Sequence, residues 1–392
     1  MVSIKKVTIM FFCNCLIISL LSFPFVAVAQ DITFEPSIIL GGEYDDNVLF
    51  TRTDEIDDYL AVISPSLTLN YASELFKLDA EGIVDVLRYA DQNDLNTENQ
   101  RYAIDAGYQL MERWSLSGDF SYIKDTTLDS ELEETGIVYA REDRERFKAG
   151  AGLSYQVSEL SYMGVNYAYS KTDYDEEGLE DYDSSFIRLS YNRRFNNGID
   201  TFTVAPRYTR GSSVTSDVDG YRLNFGWTHL PSETYRLRVF AGLRYTEQDY
   251  KDGRDNTSNW GGVADINLEK KGETHSVLVG FGSDIYLRPS TGELEQVYKI
   301  YCNLTRRVTE RFRAGVNSRL SLAQPDDADA INDKEIWYLT VTPSLSYRLT
   351  EKHSLQLSYS YQQEYDKNIE DDERSDRNRV WLSLNFNFPK KW

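Results

Sequence analysis

Few residues in this chain could carry covalent or metal chemistry. Its 392 residues include three His and three Cys. An enzyme needs a positioned nucleophile, base or metal. His229, His275 and His353 each fall at or beside a predicted turn. His275-Ser276 and His353-Ser354 are sequence neighbours, which on a strand sends the two side chains to opposite faces. No Ser–His pair is therefore expected. Gly41-Gly42, Gly261-Gly262 and Gly280-Phe281-Gly282 are not followed by a helix or a Lys-Ser/Thr, so they are not phosphate loops. The reading is no enzyme, no cofactor and no metal set. The acidic loop runs, such as Asp173-Tyr174-Asp175-Glu176-Glu177 and Glu370-Asp371-Asp372-Glu373, lack EF-hand spacing and read as solvated, mutually repelling tips.

What the chain has in quantity is charge: 63 Asp and Glu against 42 Lys and Arg, a formal net charge of −21. That balance argues against nucleic acid as a partner, because phosphate binding needs a basic surface. Two sets of charges alternate with apolar residues. Asp79, Glu81, Asp85, Asp105 and Asp119 form the first. Arg188, Arg207, Arg222, Arg236, Arg238 and Arg244, with Arg313 and Arg319 further on, form the second. Alternation of this kind belongs to strands with one apolar and one polar face.

Those strands repeat along the chain. Segments of alternating polarity are separated by breaks of two kinds that take turns. Short breaks include Met111-Glu112-Arg113, Ser158-Glu159 and Lys271-Gly272-Glu273. Long, mostly acidic breaks include 45–58, 126–143, 248–258 and 288–295. Eight short and nine long breaks make seventeen connections, and hence about eighteen strands. Strands near ten residues, an even count and short-long alternation predict a transmembrane antiparallel β-barrel with short periplasmic turns and long extracellular loops. A soluble β-sandwich does not explain strict alternation over the whole chain.

The polarity of the faces agrees. Phe76, Leu78, Ala80, Gly82 and Val84 share one face, against Lys77, Asp79, Glu81 and Asp85. Tyr235, Leu237, Val239, Ala241, Leu243 and Tyr245 share another, against Arg236, Arg238 and Arg244. Tyrosines and tryptophans bracket the apolar faces, as an aromatic girdle at two membrane interfaces requires. The charged sets then line the lumen as an acidic and a basic arc, setting a transverse field across a wet channel. Phe240, Tyr286, Tyr301 and Tyr338 are predicted lumen aromatics. Pro65 and Pro343 predict local bulges.

The ends carry their own signals. Lys5 and Lys6, an apolar stretch to Val26 and Ala27-Val28-Ala29 read as a secretory signal peptide over 1–29, cleaved before Gln30. The barrel is then one domain, 30–392, retaining only Cys302 of the three cysteines. The last segment aligns Phe386, Phe388 and Trp392 on one face and resembles the assembly signal of bacterial outer-membrane proteins, with Pro389 a departure from it.

The opening Phe34-Glu35-Pro36-Ser37, followed by a strand and Tyr44-Asp45-Asp46-Asn47, together with the chain length and the aromatic end, resembles the β-barrel porin 2 family. That resemblance covers essentially the whole mature chain. It implies an outer-membrane pore of a Gram-negative bacterium associated with exopolysaccharide export, and supplies no catalytic residue. The expected partners are outer-membrane lipid and lipopolysaccharide, the barrel assembly machinery and periplasmic polysaccharide-export proteins. A diffusion porin for small solutes is the alternative, and an inward-folded loop would favour it; the longest loop, 126–143, is the candidate. A plugged structural or adhesive barrel is the third reading.

Overall fold

A computed structural model describes residues 31–391 except 129–131, 133–140, 176–178, 196–197, 289–291, 327–334 and 368–373. The expected signal peptide, Trp392 and the run Glu370–Glu373 lie outside the described residues.

The alternating segments form eighteen long strands. They are β1 (Asp31–Asp45), β2 (Asp58–Ala72), β3 (Phe76–Tyr89), β4 (Thr97–Met111), β5 (Trp114–Thr126) and β6 (Asp143–Ser158). There follow β7 (Ser161–Tyr174), β8 (Tyr182–Arg194), β9 (Asp200–Ser213), β10 (Ser216–Ser232), β11 (Tyr235–Tyr250) and β12 (Thr257–Lys271). The last six are β13 (His275–Leu287), β14 (Leu294–Arg307), β15 (Phe312–Pro325), β16 (Ile336–Arg348), β17 (His353–Asp366) and β18 (Arg374–Asn387). Each pairs antiparallel with its sequence neighbours, and β1 pairs with β18 from Ser37↔Asn387 to Asp45↔Arg379. The sheet is thereby closed, which leaves no edge at the chain ends. A two-residue extension, Lys390–Lys391, adds to the foot of β1. Both described ends lie on the side of the short turns.

The lipid face is the apolar face. Ile63, Leu67, Leu223, Phe225, Leu357 and Leu382 are all exposed. A membrane supplies the partner such a face lacks in water, and a charge at its midplane would cost about 2–4 kcal/mol. On β9–β12 the outward rings form a continuous row. Tyr208 and Tyr221 lie 5.3 Å apart, Tyr221 and Tyr245 6.4 Å, and Tyr245 and Trp260 4.9 Å.

Three departures from the expected barrel matter. The strands run 13 to 17 residues, longer than the bilayer needs, so the ladder continues past the girdle with polar residues and the loops are shorter. No bulge forms at Pro65 or Pro343. Ile63↔Val86 and Ser66↔Ile83 keep one register, as do Val341↔Tyr361 and Ser344↔Ser358. Proline lacks the N–H, so the ladder passes over it without an extra residue. Finally, β12 and β13 pair only from Ala264↔Ser283 to Lys271↔Ser276. Above that point the β13–β14 hairpin leaves the wall and turns inward.

Candidate permeation pathway

Strand register decides which charges meet. Asp79 lies opposite Asp105, and Asp105 opposite Asp119, so β3, β4 and β5 carry three carboxylates in a cross-strand row. Arg188 lies opposite Arg207, Arg207 opposite Arg222, and Arg222 opposite Arg244, giving four arginines in a row across β8–β11. Like charges directly opposite are mutually destabilising. The row therefore needs counter-charge, a neighbouring ring or water.

The inward hairpin supplies part of it. Asp284 of β13 accepts from Arg222 Nη1 at 3.1 Å through Oδ2, and its Oδ1 also pairs with Arg222. Arg244 donates to Gln296 at 2.8 Å, to Thr246 Oγ1 at 3.1 Å, and to Asp326 Oδ2 at 2.8 Å. At the hairpin tip the Gly292 carbonyl accepts from Ser216 Oγ at 3.0 Å and from Gln248 Nε2. Above it, Arg254 reaches Glu293 at 3.4 Å. In the same loop, hydrogen bonds from the Arg254 side chain and backbone hold the Asp252 carboxyl below its ordinary range.

Arg188 and Arg207 are not neutralised in this way. Neither forms an ion pair among the described residues. The Arg207 guanidinium lies 3.9 Å from the Phe186 ring centroid, and its Nε donates to Thr209 Oγ1 at 3.1 Å. A cavity of about 730 Å³ joins Asp119, Lys148, Arg188, Arg207, Arg222 and Arg244. A second, of about 350 Å³, is lined by Arg222, Phe240, Asp265, Lys299 and Tyr301 among others.

Asp79, Glu81, Asp105 and Asp119 are exposed on the polar face of their strands, with Asp85 half-buried. Arg238, Arg313 and Arg319 share the inner parity. Arg236, half-exposed, lies 3.6 Å from Glu269 towards the short-turn end. Of the predicted lumen aromatics, Phe240 lies over Gly226 and Tyr301 over Gly280, while Tyr286 and Tyr338 are packed into apolar clusters. The sequence reading passed over Arg144, Arg146 and Lys148 of β6, although their alternation with Phe147 and Ala149 puts them inward. Arg144 forms a buried pair with Asp125 at 3.1 Å. The three neutralising acids Asp284, Glu293 and Asp326 were also missed. No local pattern marks them, because only the fold of the hairpin and its neighbours brings them to the arginines.

Apolar clusters narrow the mouth. Val48 of the β1–β2 connection is fully buried against Leu60, Val62 and Tyr89. Phe50 packs with Leu128 and Leu132 of the longest loop and with Tyr338 on the inner face of β16. That loop follows β5, so its Leu132 has crossed the lumen to reach β16. Most of the rest of the loop lies outside the described residues.

The motif at the end of β1 holds the first of these connections in place. Asp46 accepts from the Asn378 backbone N–H at 2.6 Å and its side-chain amide at 2.7 Å. Asn47 donates to Thr51 O at 2.7 Å and to Asp376 O at 3.0 Å. Arg52 reaches Glu364 at 3.2 Å. Phe50 and Asp54 take positive φ, 53° and 55°, which turns the connection back on itself. At the other end of the chain, Phe386 and Phe388 share the parity of the exposed Val380 and Leu382, and the Phe388 N–H donates to Pro36 O at 3.0 Å.

Solved structures share this fold. A BenF-like porin from Pseudomonas fluorescens Pf-5 superposes with a TM-score of 0.50 at 10% identity, covering 92% of this chain and 99% of that one. The outer membrane protein opdK of Pseudomonas aeruginosa gives 0.46 at 10% identity, covering 91% and 99%. The ferric citrate transporter FecA gives 0.48 at 11% identity over 87% of this chain, which spans 61% of FecA's length. At such identity the likeness is one of fold. No curated protein matches the sequence. Residues 31–195 match the model of the family described as Putative beta-barrel porin 2. That stretch includes the Tyr44–Asn47 motif and the acidic row, and its match agrees with a porin-like outer-membrane β-barrel.

Proposed function

We propose that the protein is a selective diffusion channel for small anionic solutes. The observation that carries this reading is the Arg188–Arg207 pair, which forms no ion pair among the described residues and lies on the wall of a cavity whose mouth is narrowed by buried clusters. A carboxylate or phosphate passing this point meets two guanidinium groups suited to bidentate hydrogen bonding. The acidic row on β3–β5 supplies the opposite pole, so a dipolar solute is oriented as it passes. In this reading an N-terminal signal exports the chain, cleavage before Gln30 releases 30–392, the assembly machinery reads Phe386, Phe388 and Trp392, and lipopolysaccharide surrounds the belt.

Export of an exopolysaccharide is the finer function implied by the family resemblance. The same arginines and the Phe240 and Tyr301 rings suit an anionic sugar chain. A polymer, however, must thread the region where Leu132 and Tyr338 are packed together, which places the small-solute reading first. Periplasmic polysaccharide-export proteins are partners only on the polymer reading.

Two measurements test the choice. Reversal potentials in planar bilayers under a KCl gradient should show anion preference; cation preference overturns the proposal. A deletion strain with a complemented control, assayed for polymer outside the cell and in the periplasm, should show no redistribution. Loss outside with retention in the periplasm would establish export instead.

A further inference from the structure

The incomplete β12–β13 pairing leaves the upper edge of β12, residues 257–263, without a strand partner on the β13 side. Trp260 closes the outer aromatic row and is 72% exposed. Residues 261–263 follow it towards the centre of the strand, so this edge begins at the girdle and descends into the outer leaflet. In lipid every backbone polar group needs a partner, and an open strand edge is not tolerated uncovered.

Part of the cover comes from inside. Arg244 crosses over Gly261, where an added Cβ would lie 2.6 Å from the guanidinium carbon. It then meets Gln296 and Asp326 in the gap. Asn259 donates its side-chain amide to the Asp326 carbonyl, and Thr246 Oγ1 donates to Asn259 O at 3.3 Å. This polar floor separates the gap from the lumen. On the membrane side a cavity of about 440 Å³ remains, walled by Trp260, Gly262, Phe281, Tyr298 and Pro325. Gly262 has no neighbour closer than 4.0 Å to the place of a Cβ, so its lack of a side chain keeps the cavity open rather than relieving a clash.

We propose that this window is a lateral binding site for an acyl chain of a lipid in the surrounding outer leaflet. The chain lies against Phe281 and Tyr298, and the polar part of the lipid stays level with Trp260. The occupant follows from position: the cavity opens below the aromatic row, on the lipid side, and the charge of its floor is met by the Arg244–Asp326 ion pair.

The test uses the full-length protein in vesicles containing a phosphatidylcholine with a diazirine on one acyl chain. After irradiation, labelled peptides are mapped. Labelling should concentrate on 257–264, 281–283 and 296–298, and be lost from them in Gly262→Trp, which fills the cavity. Channel conductance should not change in that variant. Heat-modifiable migration checks assembly, and Gly262→Leu carries the same test if the tryptophan variant does not assemble. Labelling spread evenly around the belt, or unchanged in the filled variants, would overturn the proposal.

Discussion

Asp45 and Arg377 stand 332 residues apart and share a buried ion pair across the seam where the barrel closes. Arg377 Nε donates to both Asp45 oxygens, at 3.0 and 2.9 Å. The pair holds β1 to β18 just below the point where the β1–β2 connection turns into the lumen. Breaking a buried pair by removing one partner costs about 3–5 kcal/mol, because it strands the other charge. Asp45→Ala and Arg377→Ala should each lower the temperature at which the folded barrel loses its heat-modifiable migration. The double variant should lose less than the sum of the two. Additive losses would mean that the pair does not act as one unit.

The arginine row makes a separate prediction about selectivity. Two charges interact by about 1 kcal/mol at 4 Å in water-like surroundings, and more strongly in a confined, less polar site. Replacing Arg188 and Arg207 together by Gln should lower the anion-to-cation permeability ratio several-fold, while the barrel stays assembled. An unchanged reversal potential would remove these two residues from the selectivity site.

Arg244 should behave differently from its neighbours in the row. It is 2% exposed and tied to Asp326 and Gln296, so it closes a gap in the wall rather than presenting free charge. Arg244→Ser strands Asp326 and should cost roughly 3–5 kcal/mol of stability. The expected readout is a lower unfolding midpoint in urea with little change in selectivity. A large selectivity shift at unaltered stability would contradict this role.

The mouth offers a test of narrowing. Leu132 and Tyr338 are both fully buried, in the cluster that joins the longest loop to β16. Tyr338→Ala removes the ring on which the loop rests. Single-channel conductance should rise or become noisy, and larger neutral sugars should enter in liposome-swelling assays. Wild-type conductance and size exclusion would show that the narrowest point lies elsewhere.

Much of this architecture was legible in the chain because barrel strands obey a local rule. Side chains alternate between faces, so the two-residue period of Phe76–Val84 or Tyr235–Tyr245 assigns lipid and lumen without reference to distant residues. Alternating short and long breaks likewise predict eighteen strands and which end bears the loops. The same parity predicts an inward aim for Asp79, Asp105, Arg188 and Arg207.

Which of the described charges form ion pairs was decided only by the tertiary structure. The β13–β14 hairpin folds into the barrel and brings Asp284 to Arg222, while Asp326 closes on Arg244 and Leu132 crosses to Tyr338. Tyr44–Asn47 reads as a family motif, yet its role at the seam depends on β18 arriving beside it from the far end of the chain. Parity is a property of neighbouring residues along one backbone. Loop placement and charge pairing depend on which strands the closed barrel brings within a few ångströms of one another, and no local period encodes that.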